Sequence, residues 1–280
     1  LVARPSEVDA WLPISSFTSL VYLLKSGVAN SVHPAGLVIF SVILVLAVVV
    51  RRGFCSWVCP VGTLSEWGHR LGRRLFGGTL ALPRALDGLL RSVKYLLLAF
   101  FFVMIVGLSA ESLHAFIHGT YNRACDLKMY ALFARPSATT LTVVSVLAAL
   151  SLVIKNFWCR YLCPYGALLG LAAVASRVAV RRDSAACTGC GCCSRACPSR
   201  IDVARAAVVR SPECTACYAC VGACPEAEAL RFGPKAKHKR LTPLAYAVVT
   251  LAALVLLPQA FRALGYWESD STVADYRRFL

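Results

Sequence analysis

Apolar stretches alternate with basic and polar stretches along the 280-residue chain. A helix needs about 20 mostly apolar residues to cross the hydrocarbon core of a membrane. One stretch, Trp11–Leu24, is shorter and contains Pro13, so we expect an interfacial or partly inserted helix there. The longest apolar stretches predict four membrane spans, at Pro34–Val50, Lys94–Ser109, Ala138–Phe157 and Leu241–Phe261.

Composition supports a membrane protein. Hydrophobic residues make up 58% of the chain and the mean hydropathy is +0.64, which is too apolar for an ordinary soluble domain. Between the first two predicted spans, Thr63–Arg91 mixes leucines with arginines. This mixture predicts amphipathic helices that lie on the cytoplasmic surface of the membrane.

The basic excess, 30 Lys and Arg against 14 acids, follows the predicted spans. The loop Ala110–Ser137 is poor in basic residues, whereas two other regions are rich in them. The positive-inside rule makes those two regions cytoplasmic and both termini periplasmic, in the inner membrane of a bacterium. The excess therefore indicates topology, and we expect no nucleic-acid partner. The basic residues are Arg51, Arg52, Arg70, Arg73, Arg74, Arg84 and Arg91 in the first region, and Arg160, Arg177, Arg181, Arg182 and Lys235–Arg240 in the second.

Two cysteine runs share the spacing C-x2-C-x2-C-x3-C-P and end at Pro198 and Pro225. This spacing is typical of bacterial ferredoxins, in which the fourth cysteine of each run binds the cluster of the other run. Zinc usually takes separated cysteine pairs, and disulfides do not account for two identical spacings. The sequence therefore predicts two [4Fe–4S] clusters. The first is held by Cys187, Cys190, Cys193 and Cys224, and the second by Cys214, Cys217, Cys220 and Cys197.

A C-x3-C-P motif occurs twice, each time after an apolar span, within Val50–Leu64 and Ile154–Leu168. This arrangement predicts two parallel repeats related by an axis along the membrane normal. Residues four apart share one helix face, so we expect paired sulfurs, with the following proline beginning a new helix. Two interpretations remain: an additional iron–sulfur or metal centre, or cysteines that only pack at helix ends. The cysteines are Cys55, Cys59, Cys159 and Cys163.

The other candidate groups carry weaker signals. Cys192 and Cys125 stand outside the motifs, and we expect both to be packing residues. His33, His114 and His118 lie near the periplasmic ends of the first two predicted spans. They are candidates for binding haem or a metal, or for accepting protons from a quinol, since histidine titrates near neutral pH. The alternative, which we favour, is that they hydrogen-bond to water or lipid headgroups.

Together these patterns predict a mainly α fold of about four membrane helices with an inserted cytoplasmic ferredoxin-like α+β domain. No phosphate loop, nucleophile elbow or dinucleotide fingerprint is present in the sequence. The predicted domains are an interfacial N-terminal segment at 1–33, a membrane domain at 34–182, the ferredoxin-like domain at 183–232, and a last span with a periplasmic tail at 233–280.

The C-x3-C-P pair followed by a tandem [4Fe–4S] ferredoxin resembles the NapH/NosR-type membrane iron–sulfur proteins, over roughly residues 34–261. The resemblance implies electron transfer between the quinone pool and a partner oxidoreductase, often in anaerobic respiration. The chain is then a component of a quinol-linked oxidoreductase, with membrane lipid, quinone and a redox protein as partners. Nothing in the sequence matches the periplasmic flavin domain of NosR-like members.

The same resemblance fits an accessory or assembly factor that reduces a metal or thiol on a client metalloenzyme, and a redox sensor is a third interpretation. A cubane cluster carries single electrons whereas a quinol gives two, so a relay needs a place where the pair is split. The sequence does not show where that splitting occurs.

Overall fold

The computed structural model describes residues 6–77, 80, 82–234 and 240–270. The chain is mainly helical, as expected. After a 3-10 turn at Ser6–Trp11, the first nine helices are α1 Pro13–Ser26, α2 Pro34–Val50, α3 Phe54–Trp57, α4 Pro60–Phe76, α5 Arg84–Gly107, α6 Ala110–His118, α7 Thr120–Arg123, α8 Cys125–Ala134 and α9 Ala138–Val153.

The second half contains a small antiparallel sheet. Its strands are ordered β2-β1-β3, with Val180 of the central strand opposite Val209 and Phe232. The elements are a π-helical segment at Trp158–Leu162, α10 Pro164–Val174, β1 Ala179–Arg182, α11 Cys192–Ala196, β2 Val208–Val209, α12 Ala219–Gly222, β3 Leu230–Gly233 and α13 Pro243–Ala263. Strand β1 begins before residue 183, so the sheet includes residues that the predicted boundary assigns to the membrane domain.

Within the described residues, two helices are long and apolar enough to cross a membrane, in α5 and α13. Helices α8 and α9 pass the same test only as a pair bent by 77°, which gives a third candidate. Helix α2 has the predicted bounds but only 17 residues. Helix α5 begins at Arg84, before the predicted start of the second span at Lys94, and its polar first turns are paired inside the protein.

Helix α4 has one polar-lined buried face and one apolar exposed face. Ser65, His69 and Gly72 are buried, whereas a row of exposed apolar side chains lies along the opposite face of α4. The expectation of amphipathic helices over Thr63–Arg91 therefore fits α4, but Arg84–Arg91 forms the start of α5 and not a separate surface helix. The exposed apolar row consists of Leu64, Trp67, Leu71 and Leu75.

The chain divides into two compact units. Unit 1 comprises Leu1–Ile43, Ala99–Ser145 and Ala252–Leu280. Lys25 of α1 donates hydrogen bonds to the carbonyls of Val106 (2.6 Å) and Leu108 (2.5 Å), which satisfies acceptors left free at the end of α5. The apolar core of unit 1 consists of Val21, Tyr22, Val32, Ile105, Leu113 and Ile117.

Unit 2 comprises Leu44–Leu98 and Val146–Leu251 and holds the sheet and all the cysteine motifs. Its core includes Val180, Val209 and Phe232 from the three strands, together with Tyr246 from α13. The Tyr246 hydroxyl donates to the carbonyl of Val50 at 3.0 Å, which joins α13 to the end of α2. Residues 235–239 of the basic run and residues 271–280 of the C-terminal tail lie outside the described residues.

Candidate iron–sulfur centres

The ferredoxin-like cysteines lie around two separate cavities in unit 2. Apolar neighbours complete each wall, for example Leu230 in the first cavity and Val203 in the second. Four thiols around a small, largely apolar cavity suit a [4Fe–4S] cluster, so the residues present fit this cofactor. The first cavity is lined by Cys187, Cys190, Cys193 and Cys224, and the second by Cys197, Cys214, Cys217 and Cys220.

The two cysteine runs fold in the same way. Gly191 (φ 70°) and Tyr218 (φ 61°) both adopt left-handed backbone conformations and precede the short helices α11 and α12. Glycine takes this conformation readily, whereas a tyrosine there is uncommon. Tyr218 is held by a hydrogen bond from its hydroxyl to the carbonyl of Leu241 (2.9 Å) and by ring contact with Phe232 (4.8 Å between centroids).

The first cavity is the more exposed of the two. The backbone N–H of Gly189, and then the Arg182 side chain, lower the pKa of Cys187, and Cys190 is exposed to solvent. In the second cavity, burial raises the pKa of Cys217 and raises that of Cys220 to about 12.

The C-x3-C-P cysteines do not share a continuous helix, so the expectation of paired sulfurs on one helix face is wrong. Cys55 lies in the four-residue helix α3, whereas Cys59 has an extended backbone (φ −65°, ψ 117°) and caps α4. Cys163 likewise has an extended backbone (φ −76°, ψ 103°) and caps α10. The expectation that proline begins a new helix after each motif is confirmed at Pro60 and Pro164.

Cysteines from both motifs nevertheless lie close together. Cys55 and Cys159 line one cavity, which also reaches Cys217 of the ferredoxin-like domain. Burial, followed by the neighbouring thiols of Cys163, Cys55 and Cys59, raises the pKa of Cys159 to about 12. Burial also raises the pKa of Cys55 to about 11, against the opposing effect of Arg52. The Cys163 sulfur accepts a hydrogen bond from the Gly166 N–H at 3.2 Å, a contact that lowers the energy of a thiolate.

Gly62 allows the turn of the first motif to close. A Cβ added at this position would lie 2.2 Å from the carbonyl oxygen of Cys55, well inside van der Waals contact. Only glycine therefore lets α4 approach the preceding turn so closely.

Arg52 is a residue that the sequence reasoning missed, because it counted Arg52 only as a cytoplasmic charge. Its side chain is 3% exposed and donates to the carbonyls of Gly166 (2.8 Å) and Pro212 (3.0 Å). It is thus a buried cation beside several motif thiols, where negative charge requires compensation. The repeat contained a signal for Arg52: it lies three residues before the first cysteine of its motif, and the equivalent position in the second copy is the uncharged Asn156.

Direct hydrogen bonds join the first motif to the second ferredoxin-like run. The Ser56 hydroxyl donates to the carbonyl of Thr215 at 2.6 Å, and the Trp57 indole N–H donates to the carbonyl of Ala216 at 3.0 Å. Both acceptors lie between Cys214 and Cys217. The segment that carries Cys55 therefore contacts the loop that carries Cys214 and Cys217, two candidate ligands of the second cluster.

A buried ion pair between Asp87 and Arg160 holds α5 against the same region. Asp87 accepts two hydrogen bonds from Arg160, at 2.9 and 2.8 Å. Arg160 also donates to the carbonyl of Pro198 at 3.1 Å, and Arg91 donates to the carbonyl of Ser199 at 3.0 Å. Arg91 and Arg160, which the sequence analysis counted as topology signals, therefore stabilise the backbone that follows Cys197.

The three candidate histidines are in unit 1 and occupy different environments. His33 is fully buried, with Nδ1 3.0 Å from Asp9 and Nε2 2.8 Å from the carbonyl oxygen of Asn122. Two acceptors engage both ring nitrogens, so His33 offers neither to a haem iron. His114 and His118 stack with ring centroids 4.2 Å apart.

The two cysteines expected to be packing residues differ in their contacts. Cys125 lies 3.6 Å from His33 Nε2, and Cys192 accepts a hydrogen bond from Arg195 at 3.1 Å. In the described part of the chain, no three His, Cys, Asp or Glu side chains are placed to hold a single metal ion. A cubane distributes its thiolate ligands over four irons, so a cluster does not require them to meet at one point.

Comparison with known proteins identifies iron–sulfur domains in the same parts of the chain. A family model described as a 4Fe-4S binding domain matches residues 32–78 and again 137–182, which confirms the sequence repeat around the C-x3-C-P motifs. A second model, a 4Fe-4S dicluster domain, matches residues 179–225. No solved structure matches the chain.

Several known sequences are similar to this chain. The Escherichia coli protein named "Putative electron transport protein YccM" is 41% identical over 100% of this chain and 80% of its own length. The ferredoxin-type protein NapH of Escherichia coli is 28% identical over 67% of this chain and 61% of its own length. The regulatory protein NosR of Pseudomonas aeruginosa is 30% identical over 52% of this chain but only 20% of its own length. The chain therefore belongs to the NapH/NosR-type family of membrane-bound, ferredoxin-like 4Fe-4S proteins.

Proposed function

We propose that this protein relays electrons between the quinone pool and a partner oxidoreductase in the bacterial inner membrane. Two [4Fe–4S] clusters are held by the eight ferredoxin-like cysteines, and a further iron–sulfur centre is held by Cys55, Cys59, Cys159 and Cys163. One observation carries the proposal: Cys55 and Cys159 of the repeated motifs line the same cavity as Cys217 of the ferredoxin-like domain.

Bound clusters supply one-electron oxidation and reduction. The residues around them hold the thiolates, exclude water and set the local charge. Burial around Cys217 and Cys220 favours a low-dielectric site, in which a net charge is costly unless it is balanced. Arg52 supplies a buried positive charge beside Cys55, Cys159 and Cys163, which favours the thiolate forms that iron requires.

The two ferredoxin-like sites differ in a way that suits a relay. The site of Cys197, Cys214, Cys217 and Cys220 is buried and touches the first C-x3-C-P loop. The other site includes the exposed Cys190 and lies beside Arg182. This asymmetry supports docking of the redox partner near Cys190, on the cytoplasmic side, with the motif cysteines on the membrane side.

The test uses anaerobically purified full-length protein in detergent. The double variant Cys55→Ser/Cys159→Ser is expected to keep the two ferredoxin-like clusters, measured as about eight irons with their EPR signals, but to lose their reduction by a quinol. Cys125→Ser is the matched control, since this cysteine is in unit 1 and outside all three proposed iron–sulfur sites; it is expected to leave quinol-linked reduction unchanged.

Two results would contradict the relay. Unchanged reduction in the double variant would remove the motif centre from the pathway. A wild-type protein that assembles its clusters but exchanges no electrons with any quinol would instead favour the accessory role, in which the clusters reduce a client protein.

A further inference from the structure

The cavity lined by Cys55 and Cys159, here called the motif cavity, contains more polar chemistry than thiol ligation requires. Three cationic side chains line it, Arg52, Arg70 and Lys155, with Glu66 as their counter-charge. Glu66 lies 3.5 Å from Arg70 and 3.7 Å from Lys155. Trp67 adds an aromatic ring to the wall.

The motif cavity is also larger than either ferredoxin-like cavity. Its volume is about 310 Å³, against about 20 Å³ for each of the two cavities that four cysteines surround. Small-molecule sites typically have volumes of about 300–1,000 Å³. A cluster at the motif cysteines therefore leaves room for a second molecule beside it.

Two buried polar atoms on its wall lack a partner. Within the described ranges, neither Arg52 Nε nor Asn156 Oδ1 has a hydrogen-bond partner. Buried polar groups are normally satisfied, because leaving one unpaired costs free energy. One atom is a donor and the other an acceptor, and the two residues occupy equivalent positions in the repeat. A ligand that both accepts and donates hydrogen bonds satisfies this pair.

The position of Trp67 indicates how such a ligand reaches the cavity. Trp67 lines the cavity and is 68% exposed, in the apolar row of α4 with Leu64, Leu71 and Leu75. An amphipathic helix with this exposed row lies in the membrane interface, and tryptophan favours that depth. The ligand therefore approaches from the lipid and is lipophilic.

We propose that the motif cavity binds the headgroup of a quinone, with its ring beside Trp67 and its oxygens hydrogen-bonded to Arg52 and Asn156. A quinol hydroxyl donates to Asn156 Oδ1, and a ring oxygen accepts from Arg52 Nε. This inference rests on the proposed relay and locates its quinone site in unit 2. It assigns no quinone to His33, His114 or His118 in unit 1.

The test is photolabelling of the intact holoprotein in lipid nanodiscs with an azido-benzoquinone that carries a decyl tail. Label is expected in the tryptic peptides Gly53–Arg70 and Asn156–Arg160, and an excess of unlabelled decyl-benzoquinone or decyl-benzoquinol is expected to suppress it. Trp67→Ala should weaken this saturable labelling about tenfold, since stacking against an aromatic ring contributes on this scale. Asn156→Gly, which retains the left-handed backbone (φ 54°), should weaken the suppression by decyl-benzoquinol severalfold, because only the quinol can donate a hydrogen bond to Asn156 Oδ1.

Leu71→Ala is the matched control, because Leu71 is in the same exposed row but is not part of the cavity wall. It should leave labelling unchanged. Label concentrated in peptides that contain His33 or His118, or equal labelling of the Trp67→Ala and Leu71→Ala variants, would overturn the proposal. If quinol still reduces the clusters in that case, the relay stands and only the site is wrong; if no quinol reduces them, the relay itself fails.

Discussion

Lys94 and Glu213 form a buried ion pair, with Nζ 2.7 Å from Oε2 and neither side chain more than 9% exposed. Tyr95 donates a second hydrogen bond to the same carboxylate at 2.8 Å. Glu213 directly precedes Cys214, so the pair joins α5, a candidate membrane span, to a cysteine of the second candidate cluster. The favourable interaction with Lys94 outweighs burial and lowers the pKa of Glu213.

Lys94→Met should destabilise this junction by about 3–5 kcal/mol, because it leaves a buried carboxylate without its counter-charge. We expect a lower midpoint of chemical unfolding in detergent and faster loss of iron from the site of Cys214. The double variant Lys94→Met/Glu213→Gln should recover part of the loss. A single variant as stable as the wild type would show that water reaches Glu213.

Gly62→Ala should disrupt the first C-x3-C-P turn, since its Cβ would lie 2.2 Å from the carbonyl oxygen of Cys55. Backbone atoms must move to relieve the clash, at a cost of about 1–3 kcal/mol. Gly88→Ala in α5 is the matched control, because nothing lies within 4 Å of its added Cβ. The control should be neutral or stabilising by up to about 1 kcal/mol. Thermal unfolding compares the two variants; equal midpoints would contradict the close approach.

Local signals in the sequence predicted part of this arrangement. Proline after each motif begins a helix, and the spacing of the cysteine runs indicates the two sets of four that line separate cavities. Burial of Arg52 and Lys94 was not predictable, because it depends on partners 114 and 119 positions away. The extended backbone at Cys59 was missed because residue spacing alone does not reveal a helix break between two cysteines.

The His33–Asp9 pair should make stability depend on pH. Burial opposes a charged imidazole, but the hydrogen bonds of His33 to Asp9 and Cys125, together with the negative charge of Asp9, outweigh it and raise the pKa of His33 from 6.5 to about 10. A raised pKa contributes stability that is fully present below pH 6.5 and is lost as the pH rises through about 10. The shift corresponds to a contribution on the order of 5 kcal/mol at low pH.

His33→Gln should therefore lose most stability relative to wild type near pH 6 and least above pH 10. Thermal unfolding in detergent across this range measures the difference. The double variant Asp9→Asn/His33→Gln should show little of this pH dependence. A His33→Gln deficit that grows as the pH rises would contradict a charged histidine in the folded protein.

The two ferredoxin-like sites should respond differently to loss of one cysteine. Cys217→Ala removes a half-buried candidate ligand. Its sequence neighbours Ala216 and Tyr218 belong to the core of unit 2. We expect loss of the cluster at that site together with a lower unfolding midpoint. Cys190→Ala removes an exposed candidate ligand, so we expect loss of about four irons with a smaller change in the midpoint.

Cys192→Ser is the control, since this cysteine accepts a hydrogen bond from Arg195 and lines neither cavity; this variant should keep both clusters. Iron analysis, EPR and thermal unfolding of the anaerobic proteins separate these outcomes. Equal destabilisation by the two alanine variants would show that the fold of unit 2 depends as strongly on the exposed site as on the buried one.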